Sequence, residues 1–130
     1  MKAPLQIAFR LGMEIERMGQ RMEEKTGVSL AQWSVLIRLK DLPASTAQDL
    51  AAAVGVHPST LTQALKRLER KKFIFIGKDP KDSRKKILSL TRDGADRLEE
   101  VRQVLQAWRD DIHPMVPTME KLADLLQQLK

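Results

Sequence analysis

A tight glycine-bearing turn between two helix signals constrains this sequence more than any other feature. The alanine-rich segment TAQDLAAAV ends at Gly55, and Pro58 fits the first position of a second helix, where a missing N–H leaves no bond unmade. A short helix, a tight turn and a second helix form a helix-turn-helix. We therefore expect a mainly α fold built around this motif.

The second helix of this pair has two different faces. Apolar residues at helical spacing indicate the shared core: Leu50, Val54, Val56, Leu61, Leu65 and Leu68. The opposite face then carries His57, Ser59, Thr62, Gln63, Lys66, Arg67 and Arg70. In helix-turn-helix docking, residues at the start of the second helix meet base edges in the major groove. A simpler interpretation is that Ser59 and Thr60 only cap the helix.

The positive charge of the chain is concentrated in one segment. Residues 57–86 hold ten Lys or Arg and three acids, whereas the other hundred residues hold 13 bases and 14 acids. A basic patch of this kind is typical of a polyanion-binding surface, although a solvated lysine-rich face is the alternative.

A basic hairpin is predicted directly after the second helix. Two β-prone runs, at 73–76 and 87–90, flank the polar turn segment KDPKDSRKK. A hairpin in this place is a wing, and a thin basic wing can reach a minor groove. Asp82 lies two residues before Arg84 and is placed to brace it, unless Asp79 and Asp82 serve turn chemistry alone. The cations expected near the tip are Lys81, Arg84, Lys85 and Lys86.

Amphipathic helices are predicted on both sides of the winged segment. Residues 5–25 carry a seam that Gly27 ends, formed by Ala8, Leu11, Ile15, Met18 and Met22. Ser29 with Gln32 and Ser45 with Gln48 are two capping boxes, and the helix after the first has an inner face of Trp33, Leu36, Ile37 and Leu39.

The C-terminal part of the chain is predicted to be helical as well. Thr91 is the expected N-cap of a helix that runs at least to Asp111, with the stripe Leu98, Val101, Leu105 and Trp108. Pro114 and Pro117 interrupt it before a last segment with Met119, Leu122, Leu125, Leu126 and Leu129 on one face. The core of a small winged domain would not bury the apolar faces of the two terminal helices, so we expect a homodimer that buries them.

Several classes of function are excluded by composition and spacing. The chain has no cysteine, and His57 and His113 are far apart, so we expect no thiol switch, no metal site and no cofactor. No nucleophile–base pair or phosphate-cradling glycine loop indicates an enzyme. Charged residues interrupt the N-terminal apolar residues, and no run approaches about 18 apolar residues. We expect a soluble, cytoplasmic protein without a membrane partner.

The run from LAQWSVLIRL to LSLTRDG resembles the MarR family of winged-helix transcriptional regulators. The resemblance covers nearly the whole chain and is most specific over residues 30–100, in STLTQALKRLERK, DPKDSR and LSLTRDG. It implies a triangular homodimer with dimerisation helices at 1–28 and 112–130, a winged helix-turn-helix at 29–91 with its wing at 73–90, and a connecting helix at 91–111. Such proteins bind a pseudo-palindromic operator on double-stranded DNA, repress transcription, and often release DNA when an aromatic or phenolic small molecule binds.

The resemblance also assigns roles by position. Pro58, Ser59, Thr62 and Gln63 match major-groove readers, Lys66 and Arg67 match phosphate-side positions, and Asp82 with Arg84 match a wing pair whose arginine enters the minor groove. The full expected DNA-binding set is His57, Pro58, Ser59, Thr60, Thr62, Gln63, Lys66, Arg67, Lys81, Asp82, Arg84, Lys85 and Lys86. The chain departs from the family at three places: His57 stands where Ser or Thr is frequent, Lys72 where glycine is common, and Gly77-Lys78 where an arginine is usual.

Two alternatives remain at this level. A winged helix can serve protein contacts instead, with the basic surface binding an acidic partner. Trp33, Met18 and Met22 are candidates to line an effector pocket, although apolar residues at helical spacing more often belong to the core.

Overall fold

The computed structural model describes residues 3–42 and 45–129, except for the side chains of Ser45 and Trp108. Its elements, in chain order, are α1 (Pro4–Thr26), α2 (Leu30–Asp41), β1 (Ser45–Thr46), α3 (Ala47–Val54), α4 (Pro58–Arg70), β2 (Ile74–Lys78), β3 (Lys86–Leu90), α5 (Arg92–Ile112), a 3₁₀ turn (His113–Met115) and α6 (Val116–Gln128). The fold is mainly α with a β-hairpin wing, as predicted. Within the described ranges, no helix is both long and apolar enough to span a membrane.

Local capping chemistry sets most helix boundaries. Gly27 and Gly55 close α1 and α3 in the left-handed conformation, with φ of 76° and 72°. The first predicted capping box is present: the Ser29 hydroxyl accepts from the Gln32 amide, and the Gln32 side-chain oxygen accepts from the Ser29 amide. Thr91 caps α5 by accepting from the Gly94 amide at 3.0 Å.

The second predicted capping box is wrong by one residue. Thr46, not Ser45, is the N-cap of α3, and its hydroxyl accepts from the Asp49 amide at 3.2 Å. Ser45 instead belongs to β1, where its backbone pairs with that of Leu88. Non-local strand pairing therefore decides between two neighbouring hydroxyl residues.

The hairpin carries a third, very short strand that the sequence did not predict. The strand order is β1-β3-β2, and both pairings are antiparallel. β2 starts one residue later than predicted and continues through Gly77 to Lys78, which pairs with Lys86. Lys86 therefore lies in β3 and not in the turn at the tip.

The core lies around α2, which packs against α3, α4, α5 and the sheet. Its buried face consists of Gln32, Val35, Leu36 and Leu39, so the expected inner position of Ile37 is wrong: Ile37 is exposed and Trp33 is half-buried. The other elements contribute Leu50, Leu61, Leu65, Leu68, Leu88, Leu98 and Val101 to the core, while Val54, Val56 and Leu105 are half-buried. Of the predicted α5 stripe, the side chain of Trp108 lies outside the described residues.

The two terminal helices leave apolar side chains exposed in the single chain. In α1, only Met22 of the predicted seam is fully buried, and Leu11 and Ile15 are exposed. In α6, Leu122 is half-buried, whereas the remaining residues of its apolar face are exposed: Met119, Leu125, Leu126 and Leu129. A large apolar surface of this kind marks an interaction site.

Candidate nucleic-acid interface

The helix α4 separates an apolar face from a polar one. Leu61, Ala64, Leu65 and Leu68 enter the core. The residues of the predicted polar face are all exposed, as are Pro58 and Thr60; that face consists of His57, Ser59, Thr62, Gln63, Lys66, Arg67 and Arg70. The periodicity thus places small polar groups in the first two turns and cations in the last two.

The first turn of α4 is organised by its N-cap, which is His57. Its Nδ1 accepts from the Ser59 backbone amide at 3.2 Å and lies 2.8 Å from the Ser59 hydroxyl. The Thr62 hydroxyl donates to the carbonyl of Pro58 at 2.9 Å. The side chain that caps α4 is therefore that of His57, and the interpretation in which Ser59 and Thr60 only cap the helix does not hold.

The turn of the wing holds Arg84 at a defined place. One oxygen of Asp82 accepts from the backbone amide of Arg84 at 3.1 Å and from its Nε at 3.3 Å. The Arg84 side chain is nevertheless 91% exposed. Asp79 accepts from the Lys81 amide at 2.8 Å, which is turn chemistry alone. The two acids therefore differ: Asp79 shapes the turn, and Asp82 both shapes it and braces the arginine.

A compact joint connects α4, the wing and α5. The Thr91 hydroxyl donates to the carbonyl of Lys72 at 2.7 Å, and the Thr91 amide donates to the carbonyl of Phe73 at 3.1 Å. A Cβ built on Gly94 would lie 2.1 Å from that Phe73 oxygen, so only glycine fits. The guanidinium of Arg97 lies 5.2 Å from the centre of the Phe73 ring. This joint explains why LTRDG follows the wing, and it fixes the wing relative to α4.

Apart from Arg84, which is paired with Asp82, the cations of the segment fall into two groups. Lys71 turns away from the exposed face and donates to the carbonyl of Gly27 and to the side-chain oxygen of Gln32. In the sequence, nothing distinguishes Lys71 from the other members of the basic run. The other group makes no side-chain hydrogen bond or ion pair with any described residue, and consists of Lys66, Arg67, Arg70, Lys72, Lys78, Lys81, Lys85 and Lys86. These charges are therefore available to an external anion.

A cleft of about 540 Å³ lies between α2 and α5, close to the turn that leads into α6. Trp33 lines it, as proposed for a pocket, together with Lys40 and Arg109. Met18 and Met22 line a separate, smaller cleft between α1 and α5. Thus the three candidate pocket residues do not share one site.

Two charged residues that line the larger cleft form an ion pair with each other. The Arg102 Nη2 lies 2.6 Å from a Glu99 oxygen, and this hydrogen bond lowers the pKa of Glu99 and raises the pKa of Arg102. Arg109, which lines the same cleft, has no such partner among the described residues. No metal-binding group of three His, Asp or Glu residues occurs in the described part of the chain.

Comparison with known proteins identifies the relatives of this chain. The sequence profile of the MarR family matches residues 28–86. The HTH-type transcriptional regulator BilQ of Clostridium symbiosum is 30% identical over 108 residues, which cover 82% of this chain and 75% of BilQ. The HTH-type transcriptional repressor MdtR of Bacillus subtilis is 32% identical over 108 residues, covering 78% of this chain and 70% of MdtR. The chain belongs to the MarR family.

The MarR fold extends over nearly the whole chain. The structure of S. aureus MepR in complex with DNA superposes with a TM-score of 0.84 at 20% identity, over 99% of this chain and 100% of MepR. Bordetella bronchiseptica BpsR, whose DNA binding is regulated by 6-hydroxynicotinic acid, has a TM-score of 0.79 at 20% identity, over 99% of this chain and 96% of BpsR. The MarR-family relatives are transcriptional regulators and not enzymes.

Proposed function

We propose that this protein is a sequence-specific regulator of transcription that binds double-stranded DNA as a homodimer and represses its target. One observation carries the proposal: the exposed face of α4 holds small polar groups at its start and unpaired cations after them, beside a wing that presents Arg84. This order fits a major groove, because the start of the helix can contact base edges while the cations contact the flanking phosphates.

The proposed contacts divide into reading and holding. Thr62 and Gln63 read base edges, and Lys66 and Arg67 hold phosphates on either side of the groove. Arg84 enters the adjacent minor groove, where the negative potential favours a cation. The remaining members of the interface are His57, Pro58, Ser59 and Thr60 at the start of α4, and Lys81, Asp82, Lys85 and Lys86 in the wing.

The dimer in this proposal forms through the terminal helices. The exposed apolar residues of α1 and α6 support it, because a monomer would leave them in water. Residues 1–28 and 112–130 then form the dimerisation region, 29–91 the winged helix-turn-helix and 91–111 the connection. Twofold symmetry of the protein implies a pseudo-palindromic operator.

The cleft between α2 and α5 is the proposed effector site. Trp33 offers an aromatic face, and the unpaired guanidinium of Arg109 suits a carboxylate or phenolate. The aromatic acid that regulates BpsR supports this class of ligand. Binding there would displace α2 relative to α5 and release the operator.

The test is footprinting on the DNA upstream of the protein's own gene, with and without aromatic acids. We expect two protected half-sites about 10 base pairs apart, centre to centre, or a multiple of that distance. Loss of protection on adding an aromatic acid supports the effector site. Absence of any salt-dependent shift on duplex DNA, together with binding to an acidic protein, would instead favour a protein-interaction module.

A further inference from the structure

Among the basic residues of 57–86, Lys71 alone has a side chain that donates hydrogen bonds to a distant part of the described fold. It is the C-cap residue of α4, and its Nζ donates to the carbonyl of Gly27 and, at 3.2 Å, to the Oε1 of Gln32. The contact spans 44 residues of sequence to Gly27 and 39 to Gln32. It therefore joins the end of α4 to the junction between α1 and α2.

Both acceptors are suited to a cation. Gly27 is the left-handed residue that closes α1, and the carbonyl end of a helix carries partial negative charge. Gln32 is 1% exposed, and its Oε1 already accepts from the Ser29 amide as part of the capping box. The capping box and burial therefore fix the side chain of Gln32 independently of Lys71, so that Gln32 is a rigid acceptor for the lysine.

The neighbouring residue provides a contrast. Lys72 follows directly in the chain, carries the same charge and is exposed, but its side chain makes no hydrogen bond with any described residue. Its backbone lies in the left-handed region, with φ of 63°. Two adjacent lysines are thus directed to different environments, one toward the α1–α2 junction and one toward solvent.

We propose that Lys71 is a positioning residue: it fixes the end of α4 to the α1–α2 junction and does not contact phosphate. This inference rests on the proposed function, in which α1 belongs to the dimer interface and α4 enters the major groove. If α4 is tied to α1, the separation of the two recognition helices in the dimer is fixed. Lys71 then sets how strictly the protein requires one spacing between half-sites.

The experiment compares Lys71→Met with Lys72→Met, which remove the same charge at adjacent positions. Each is titrated with the operator, with operators one base pair longer or shorter at the centre, and with a scrambled duplex at several salt concentrations. For Lys71→Met we expect the preference for the native spacing to fall about three- to tenfold, with an unchanged salt slope on the scrambled duplex. Lys72→Met keeps the spacing preference, and Lys71→Arg restores it because a guanidinium can donate to both acceptors.

A second measurement needs no DNA. Amide hydrogen exchange of the free protein should become faster at residues 28–32 in Lys71→Met, while exchange in α3 and in Lys72→Met stays at the wild-type rate. Unchanged exchange at residues 28–32 overturns the inference, whatever the protein binds. A salt slope lowered by about 1 with an intact spacing preference also overturns it, because Lys71 would then be a phosphate contact. Failure of the wild-type protein to prefer the operator over the scrambled duplex would instead reject the proposed function.

Discussion

Asp82 holds Arg84 through a single carboxylate oxygen, which accepts from both the backbone amide and the Nε of the arginine. The arginine side chain remains 91% exposed. Exposed ion pairs of this kind contribute only about 0–1 kcal/mol to stability. The value of the pair therefore lies in presenting the guanidinium in one orientation and not in holding the fold together.

Arg84→Ala is expected to weaken operator binding severely and to change the free energy of unfolding by less than about 0.5 kcal/mol. Asp82→Asn keeps an oxygen for the backbone amide but removes the charge that braces the guanidinium, so it should have an intermediate effect on binding. Operator titrations and urea unfolding of the same samples measure both quantities. Wild-type affinity in Arg84→Ala would show that Arg84 does not contact DNA.

Gln63→Ala and Lys66→Ala should separate the recognition of bases from the binding of phosphates. The amide of Gln63 makes no hydrogen bond with described residues, so its loss should cost about 1 to 3 kcal/mol of discrimination at one base pair and leave the salt slope unchanged. Lys66→Ala should weaken operator and scrambled DNA about equally and lower the salt slope by about 1. Titrations of both duplexes at several salt concentrations decide this. If both variants lost affinity for the operator and for scrambled DNA in the same proportion, α4 would bind DNA through charge alone and would not read its sequence.

Removal of residues 112–130 should abolish the dimer, because it deletes the exposed apolar face of α6 that includes Leu125 and Leu126. Sedimentation at micromolar concentration measures the change. A control is the substitution of Glu120, which is exposed and lies by helical spacing on the side of α6 opposite that apolar face, by glutamine. A well-folded monomer of the full chain under the same conditions contradicts the proposed assembly.

Gly94→Ala is expected to destabilise the protein by about 1–3 kcal/mol, because its new methyl group would meet the carbonyl of Phe73 at the α4–wing–α5 joint. Gly12→Ala is the control, since Gly12 is a helical glycine with open space where a Cβ would be placed. That change should stabilise α1 by up to about 1 kcal/mol. Thermal or urea unfolding measures the stability of both variants. Equal changes in stability would mean that the backbone at the joint can shift to accommodate the methyl group.

Lys72→Gly should stabilise the fold by about 0.5–1 kcal/mol, because Lys72 has a left-handed backbone with φ of 63° and glycine adopts this conformation without strain. Lys72→Ala removes the same charge but keeps the Cβ, so it should give no such gain. Urea midpoints of the three proteins provide the comparison. A gain in the alanine variant as large as in the glycine variant would assign the effect to charge.

Features set by neighbouring residues were predictable from the sequence. The Ser29–Gln32 capping box and the Thr91 cap of α5 each depend on residues three positions apart, and Pro58 starts α4 because its own missing N–H leaves no bond unmade there. The same holds for the polar face of α4, since helical periodicity alone separates it from the core. The Asp82–Arg84 contact is equally local.

Features set by distant parts of the chain were not predictable. The N-cap of α3 is Thr46 and not Ser45 because Ser45 pairs with β3, more than 40 residues away. The inner face of α2 is displaced from Ile37 to Val35 because several elements surround that helix. Lys71 reads in sequence as one more basic residue, and only the fold brings it to the α1–α2 junction.

The hydrogen bond from the Thr62 hydroxyl to the Pro58 carbonyl has a consequence for the operator's base composition. While this bond is kept, the only proton of the hydroxyl is engaged, and its oxygen offers lone pairs alone. In the major groove, hydrogen-bond donors belong to the amino groups of adenine and cytosine. A hydrogen bond from a base to Thr62 should therefore come from adenine or cytosine, and guanine, which offers only acceptors there, should be disfavoured at that position.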